Sequence, residues 1–100
     1  MANPIVFNAG TTTLNSSHAL KMTKLTAVAT SLTAVSVVLT DLGGNVIGVP
    51  VYIQTPATVN AEVTADFATP CIVPGGVNLS LTNAIITVTG AGGVAYLYHR

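Results

Sequence analysis

The strongest constraint on the fold of this chain is an alternation of apolar and polar residues with a period of two. Residues 58–67 read TVNAEVTADF. In an extended strand, successive side chains point to opposite faces, so this pattern predicts a β-strand with one apolar and one polar face. The apolar face comprises Val59, Ala61, Val63, Ala65 and Phe67, and the polar face comprises Thr58, Asn60, Glu62, Thr64 and Asp66.

Two pairs of alternating segments are separated by glycine-rich turns. Segments 35–40 and 46–53 flank the sequence DLGGN at 41–45, whose glycines can adopt positive φ, so these segments are predicted to form a hairpin. By the same reasoning, a final hairpin is predicted from residues 84–89 and 94–99, with the turn at 90–93 (GAGG).

Further strands are predicted along the rest of the chain. Residues 5–7, residues 20–30 and the alternating segment 77–82, which follows a Pro-Gly-Gly turn at 74–76, bring the total to seven or eight. Residues 18–24 (HALKMTK) are compatible with a helical turn or with a strand.

These strands define the expected fold class. One hundred residues with fifteen threonines and frequent turn signals indicate a single all-β domain spanning residues 1–100. The prediction is an antiparallel β-sandwich or jelly roll, with a small β-barrel as the alternative.

The charge of the chain limits its partners. Charged residues make up 6% of the sequence, and the formal net charge is zero, which favours association over mutual repulsion. Three basic residues are too few to neutralise a nucleic-acid backbone, so direct nucleic-acid binding is not expected. The charged residues are Lys21, Lys24, Asp41, Glu62, Asp66 and Arg100.

Neither a membrane segment nor a secretion signal is expected. Glycines and prolines interrupt the long uncharged stretches, and the amino terminus (MANPIVFNAGTTT) has neither a basic region nor a sustained apolar region. With a single cysteine, Cys71, which is expected to be a small buried apolar residue, the chain cannot form an internal disulfide. Synthesis in a cytoplasm is therefore expected.

No catalytic, cofactor-binding or metal site is predicted, and the protein is not expected to be an enzyme. The glycines at 90–93 match a nucleotide-binding loop only loosely, because the chain ends seven residues later in strand-like sequence. Glu62 and Asp66 are four residues apart on one strand face, roughly 13 Å, which is too far for paired carboxylate chemistry.

Three segments resemble a known group of proteins. The runs VVLTDLGGNVIGVPVYIQ, VPGGVNLSL and ITVTGAGGVAYLYHR resemble small uncharged β-proteins of tailed bacteriophage virions, especially capsid cement or decoration proteins. The resemblance implies a sandwich that binds the outside of the phage head, associates as a homotrimer and clamps neighbouring major capsid subunits. It implies no catalytic residue.

Two other functions remain open. One is a different virion role, in the tail, the head-tail joint or a head fibre. The other is a carbohydrate-binding module, which would require exposed aromatic side chains to stack on sugars.

The last strand carries the predicted interaction residues. Because both of its faces are apolar, it is expected either to lie centrally in a sandwich or to be covered by a partner, and its terminal position favours a sheet edge. Tyr96, Tyr98, His99 and Arg100 are therefore predicted to lie at or near a subunit interface.

Overall fold

The computed structural model describes residues 3–14, 20–41, 52–73 and 84–100, apart from the side chain of Asp41. These ranges contain strands and turns but no helix. The strands are β1 (Ile5–Asn8), β2 (Gly10–Leu14), β3 (Leu20–Val28), β4 (Ser36–Asp41), β5 (Tyr52–Gln54), β6 (Glu62–Val73), β7 (Ala84–Thr89) and β8 (Val94–His99).

The strands form two antiparallel sheets of four strands each. Sheet I has the order β1-β8-β3-β6, and sheet II has the order β2-β7-β4-β5. The first strand pairs with the eighth, the second with the seventh, the third with the sixth and the fourth with the fifth. This is one long antiparallel hairpin rolled up so that successive pairs fall in alternate sheets, which is the topology of a jelly roll. The predicted all-β sandwich is confirmed.

The apolar core lies between the sheets. Sheet I contributes Leu25 and Leu97, and sheet II contributes Val37, Leu39 and Ile86, all of them fully buried. Four of them come from strands in which buried residues alternate with more exposed ones, as a two-layer structure requires; in β3, Leu25 is followed by the buried Thr26 and Ala27. Removing these side chains from water supplies the main favourable free energy of folding.

The antiparallel pairing of β4 with β5 confirms that the two segments of the first predicted hairpin pair with each other. Ser36 is in register with Gln54, and Val37 with Ile53. Most of the predicted turn at 41–45 and residues 46–51 of the predicted second strand lie outside the described residues.

The second predicted hairpin is wrong. β7 belongs to sheet II and β8 to sheet I, so the turn at residues 90–93 carries the chain across the sandwich rather than back along the same sheet. The amide of Gly93 donates to the carbonyl of Gly90 at 3.0 Å. Glycine-rich turns permit both geometries, and the choice depends on which strands each segment pairs with over long range.

The TVNAEVTADF segment is only partly a strand. Residues 58–60 form a turn, in which Asn60 has a φ of 64° and the amide of Ala61 donates to the carbonyl of Thr58. β6 begins at Glu62 and continues beyond the segment to Val73. Val59, predicted on the apolar face, is 47% exposed because it precedes the strand.

The remaining strands agree in part with expectation. β1 and β3 correspond to the predicted strands at 5–7 and 20–30, and residues 20–24 are strand rather than helix. β2 was not predicted. The predicted turn at 74–76 and strand at 77–82 lie outside the described residues.

Two glycines with nearly equal φ values provide a test of the sheet-crossing turn. Gly10 has a φ of 124° and Gly90 a φ of 126°, so alanine would be strained at both positions. A methyl group on Gly90 would lie 2.6 Å from the carbonyl oxygen of Ala34, whereas one on Gly10 would meet nothing within 4 Å.

We therefore expect Gly10→Ala to lower the free energy of unfolding by about 1–3 kcal/mol through backbone strain. Gly90→Ala should lower the free energy of unfolding by ~1–3 kcal/mol more than Gly10→Ala does, because the added methyl group overlaps the backbone of Ala34. Urea unfolding of both variants measures the difference. Equal losses would contradict the close packing of this turn against Ala34.

Candidate interaction surface

The last strand lies in the middle of sheet I. β8 pairs with β1 on one side and with β3 on the other. Ala95 and Leu97 point inward and are fully buried, whereas Val94, Tyr96 and Tyr98 occupy the outer face and are half-buried. The expectation of a central strand is confirmed, and the expectation of a sheet edge is wrong, because the amino-terminal strand β1 pairs alongside β8.

A row of four residues crosses the outer face of sheet I at Tyr96. Val6 and Thr26 are in register with Tyr96 on either side, and Thr64 follows on β6. Val6 is 54% exposed, whereas Thr26 is only 6% exposed although it belongs to the outer face. The hydroxyl groups of Thr26 and Thr64 are hydrogen-bonded at 3.0 Å. The row thus changes from apolar at β1 to polar at β6.

The neighbouring row contains a cation–π contact. Tyr98, Lys24 and Asp66 are in register on β8, β3 and β6. The Lys24 ammonium nitrogen lies 5.1 Å from the centroid of the Tyr98 ring, within the range in which the ring face attracts a cation. The Thr23 hydroxyl, at a β-bulge, donates to the Tyr98 carbonyl at 3.3 Å. The first contact engages the Tyr98 ring on the outer face, and the second engages the Tyr98 backbone. We call Val6, Lys24, Thr26, Tyr96 and Tyr98 the tyrosine face.

The end of the chain is held by two other segments. The Asn3 side chain brackets the His99 backbone: Nδ2 donates to the His99 carbonyl at 2.6 Å, and the His99 amide donates to Oδ1 at 3.1 Å. The Arg100 amide donates to the Lys21 carbonyl at 3.0 Å. The last residues therefore extend the pairing of β8.

The four predicted interface residues do not form one patch. Tyr96 and Tyr98 share the outer face of sheet I, while His99 follows the inward-facing Leu97 in the alternation and Arg100 is exposed beyond the strand. Val6 on β1 and Lys24 and Thr26 on β3 were not predicted from the sequence. They become neighbours of the tyrosines only through the strand register.

The two outer faces of the sandwich differ in charge. Every charged residue whose side chain the structure describes lies in sheet I or directly follows it: Lys21, Lys24, Glu62, Asp66 and Arg100. The described outer face of sheet II carries hydroxyl and uncharged side chains. There the hydroxyls of Thr11 and Thr87 are 3.4 Å apart, and Tyr52, 57% exposed, donates from its hydroxyl to Oε1 of Gln54 at 3.3 Å.

The residues considered from the sequence for metal binding, carboxylate chemistry or nucleotide binding do not come together in one site. Glu62 and Asp66 are exposed on the same face of β6. Within the described ranges, no three His, Cys, Asp or Glu side chains form a group that could hold a metal ion. The glycines at 90–93 precede strand β8 rather than a helix, so they lack the helix amino terminus that a nucleotide-binding loop uses.

Cys71 is a free thiol that is half-buried against the core. It is in register with the fully buried Met22. Desolvation by burial raises the pKa of the Cys71 thiol, which keeps it protonated at neutral pH. This agrees with an apolar packing role, although the side chain is less buried than predicted.

The topology places this chain among jelly-roll sandwiches, and its best-defined surface is the tyrosine face. Comparisons with protein-family models, curated proteins and solved structures find no match to the chain. In the described residues, no helix is long and apolar enough to cross a membrane.

The bracket around His99 can be tested by removing one side chain. Asn3→Ala deletes both hydrogen bonds to the His99 backbone while leaving the β8 ladder with β1 and β3 intact. We expect amide exchange at His99 to accelerate and the free energy of unfolding to fall by about 1 kcal/mol.

The internal control for this variant is the amide of Leu97, which lies in the middle of β8 and should exchange only by extensive unfolding. Unchanged exchange at His99 would contradict the role assigned to Asn3. Measurement by nuclear magnetic resonance separates the two amides.

Proposed function

We propose that this protein is a structural component of a tailed bacteriophage virion, a cement or decoration protein that binds the outside of the head. The observation that carries the proposal is the tyrosine face, where aromatic and apolar side chains lie in the middle of an outer sheet surface and charged residues lie toward β6. Aromatic centres with polar rims are characteristic of protein interfaces.

The fold and composition are consistent with this role. Jelly rolls occur in viral capsid proteins and also in lectins, so the fold alone does not select a function. The zero net charge removes a barrier to dense packing on a shell. The resemblance of three segments, including the closing ITVTGAGGVAYLYHR, to phage decoration proteins makes the virion the preferred choice.

The proposed mechanism is stabilisation by binding. The protein contacts adjacent major capsid subunits and also associates with copies of itself on the capsid surface after synthesis in the host cytoplasm. A protein that binds only the intact shell stabilises it. The stabilisation is about 2.7 kcal/mol per site when the free concentration of the bound protein is one hundred times its dissociation constant. Repetition over a symmetric shell multiplies modest individual contacts. No catalytic step, cofactor or nucleic-acid contact is involved.

The proposal predicts that heads lacking the protein break at lower temperature than heads to which it has been added back. The variant Val6→Lys should reduce both binding and this stabilisation, because it places a charge beside Tyr96 in the proposed contact. Binding is measured by co-sedimentation with purified heads, and stability by thermal release of DNA.

The matched control is Tyr52→Lys. Val6 and Tyr52 are 54% and 57% exposed, so both substitutions should leave the fold intact, but Tyr52 lies on the outer face of sheet II. Loss of binding with Tyr52→Lys alone would move the contact to sheet II. Heads equally stable with and without the wild-type protein would refute the cement function. A particle reconstruction would separate a head location from a tail, joint or fibre location.

A carbohydrate-binding module is the second candidate, and Tyr52 is the observation that favours it. The ring is exposed and lies beside Gln54, a combination that can stack on a sugar and hydrogen-bond to it. A glycan array tests this candidate: binding that is lost in Tyr52→Ala would support it, and an array without hits would remove it.

A further inference from the structure

One exposed edge of the sandwich is formed by β2. In the described part of the chain, β2 pairs only with β7, so its other side presents unpaired backbone groups. The residues from Gly10 to Thr13 are exposed. A groove of about 430 Å³ follows this edge and is lined by the continuous segment from Ile5 to Leu14. Such an edge is a template for an added strand.

The other edge strands of the described sheets are β1, β5 and β6. On β6, Glu62, Asp66 and Pro70 are features that discourage further pairing, and its register shifts at the bulge near Thr23. β1 has four residues and β5 has three, so each offers a shorter edge than the five residues of β2. β2, with the sequence GTTTL, contains no charge, no proline and no register shift in its ladder with β7.

We propose that β2 pairs in antiparallel orientation with β2 of a second copy of this chain. The pairing joins the two copies of sheet II into one continuous sheet. The proposed function includes association between copies of the protein, and this pairing supplies the surface for it. The inference rests on the proposed function to that extent. Because the pairing forms in the isolated protein, it is measured separately from head binding.

The register of this pairing follows from symmetry. Full overlap of the five residues about a twofold axis requires Thr12 to face Thr12 of the second copy. Thr11 then faces Thr13 of the second copy, and both belong to the outer face, where Thr11 already lies beside Thr87. Cross-strand threonine pairs are favourable, so the hydroxyl ladder continues across the axis.

A second copy fits this edge better than a charged partner does. The segment from Ile5 to Leu14 is uncharged, so two copies approach without electrostatic repulsion. Twofold pairing also occupies β2 of each copy and leaves the three-residue β5 at both ends of the joined sheet, so this sheet does not extend beyond two copies. The expected assembly is a dimer, in contrast to the trimer implied by the family resemblance.

The test compares two double variants with opposite effects. In Thr11→Lys/Thr13→Lys, each lysine faces a lysine of the second copy, so the dissociation constant should rise by more than about tenfold. In Thr11→Lys/Thr13→Glu, each lysine faces a glutamate, so the dimer should persist. Sedimentation across a wide concentration range should give twice 10.1 kDa for the wild type and for the lysine–glutamate variant.

The control for net charge is Ala68→Lys/Thr69→Lys. Both residues are exposed on β6, and the variant carries the same added charge away from the proposed axis, so it should remain dimeric. A monomeric or trimeric wild type would overturn the proposal. So would a Thr11→Lys/Thr13→Lys variant that dimerises as tightly as the wild type.

A cross-linking measurement keeps the test independent of the folding of the lysine variants. In a Cys71→Ser background, Thr12→Cys should form a covalent dimer on mild oxidation, because residues facing each other in antiparallel strands lie about 4.5–5.5 Å apart at Cβ. Thr64→Cys in the same background is the comparison. Equal cross-linking of both variants would also overturn the proposal.

Discussion

The structure depends on the pairing of β8 between β1 and β3. This ladder pairs the first and last strands at one side of sheet I, and without it β1 would have no partner in that sheet. The inward side chain of Leu97 is fully buried, while Tyr96 lies on the outer face. One strand thus supplies both the core and the best-defined surface. The closure of so long a segment is entropically costly and is offset by burial and backbone hydrogen bonds.

The two sheets differ in charge, and this difference gives the sandwich two kinds of surface. The described charges accompany sheet I, where Lys24 lies over Tyr98 and carboxylates line β6. The side chains that the structure describes on the outer face of sheet II are uncharged, and β2 is an open edge of that sheet. The sandwich therefore has two distinct ways to associate: an aromatic face for a protein surface and a strand edge for another copy of itself.

Strands that pair with a segment nearby in the sequence could be predicted, whereas pairings between distant segments could not. The alternation around Val37 and Ile53 identified both strands and their hairpin, because they pair with each other directly. β2 was missed because GTTTL has almost no apolar alternation and pairs with β7, far along the chain. The last two strands were identified correctly, but their relation was not. The sequence of a glycine-rich turn does not indicate whether the strand that follows it belongs to the same sheet as the strand before it.

For the candidate surface too, local features could be predicted from the sequence and long-range ones could not. Sequence alone determined that the chain is all-β, that it has few charges, and that Tyr96 and Tyr98 share a strand face, because these properties follow from composition and the period-two geometry of a strand. Only the tertiary structure decided that β8 is central, that Val6 and Lys24 flank the tyrosines, and that β2 is an open edge. Those facts depend on strand order and register, which arise from pairing between segments distant in the sequence.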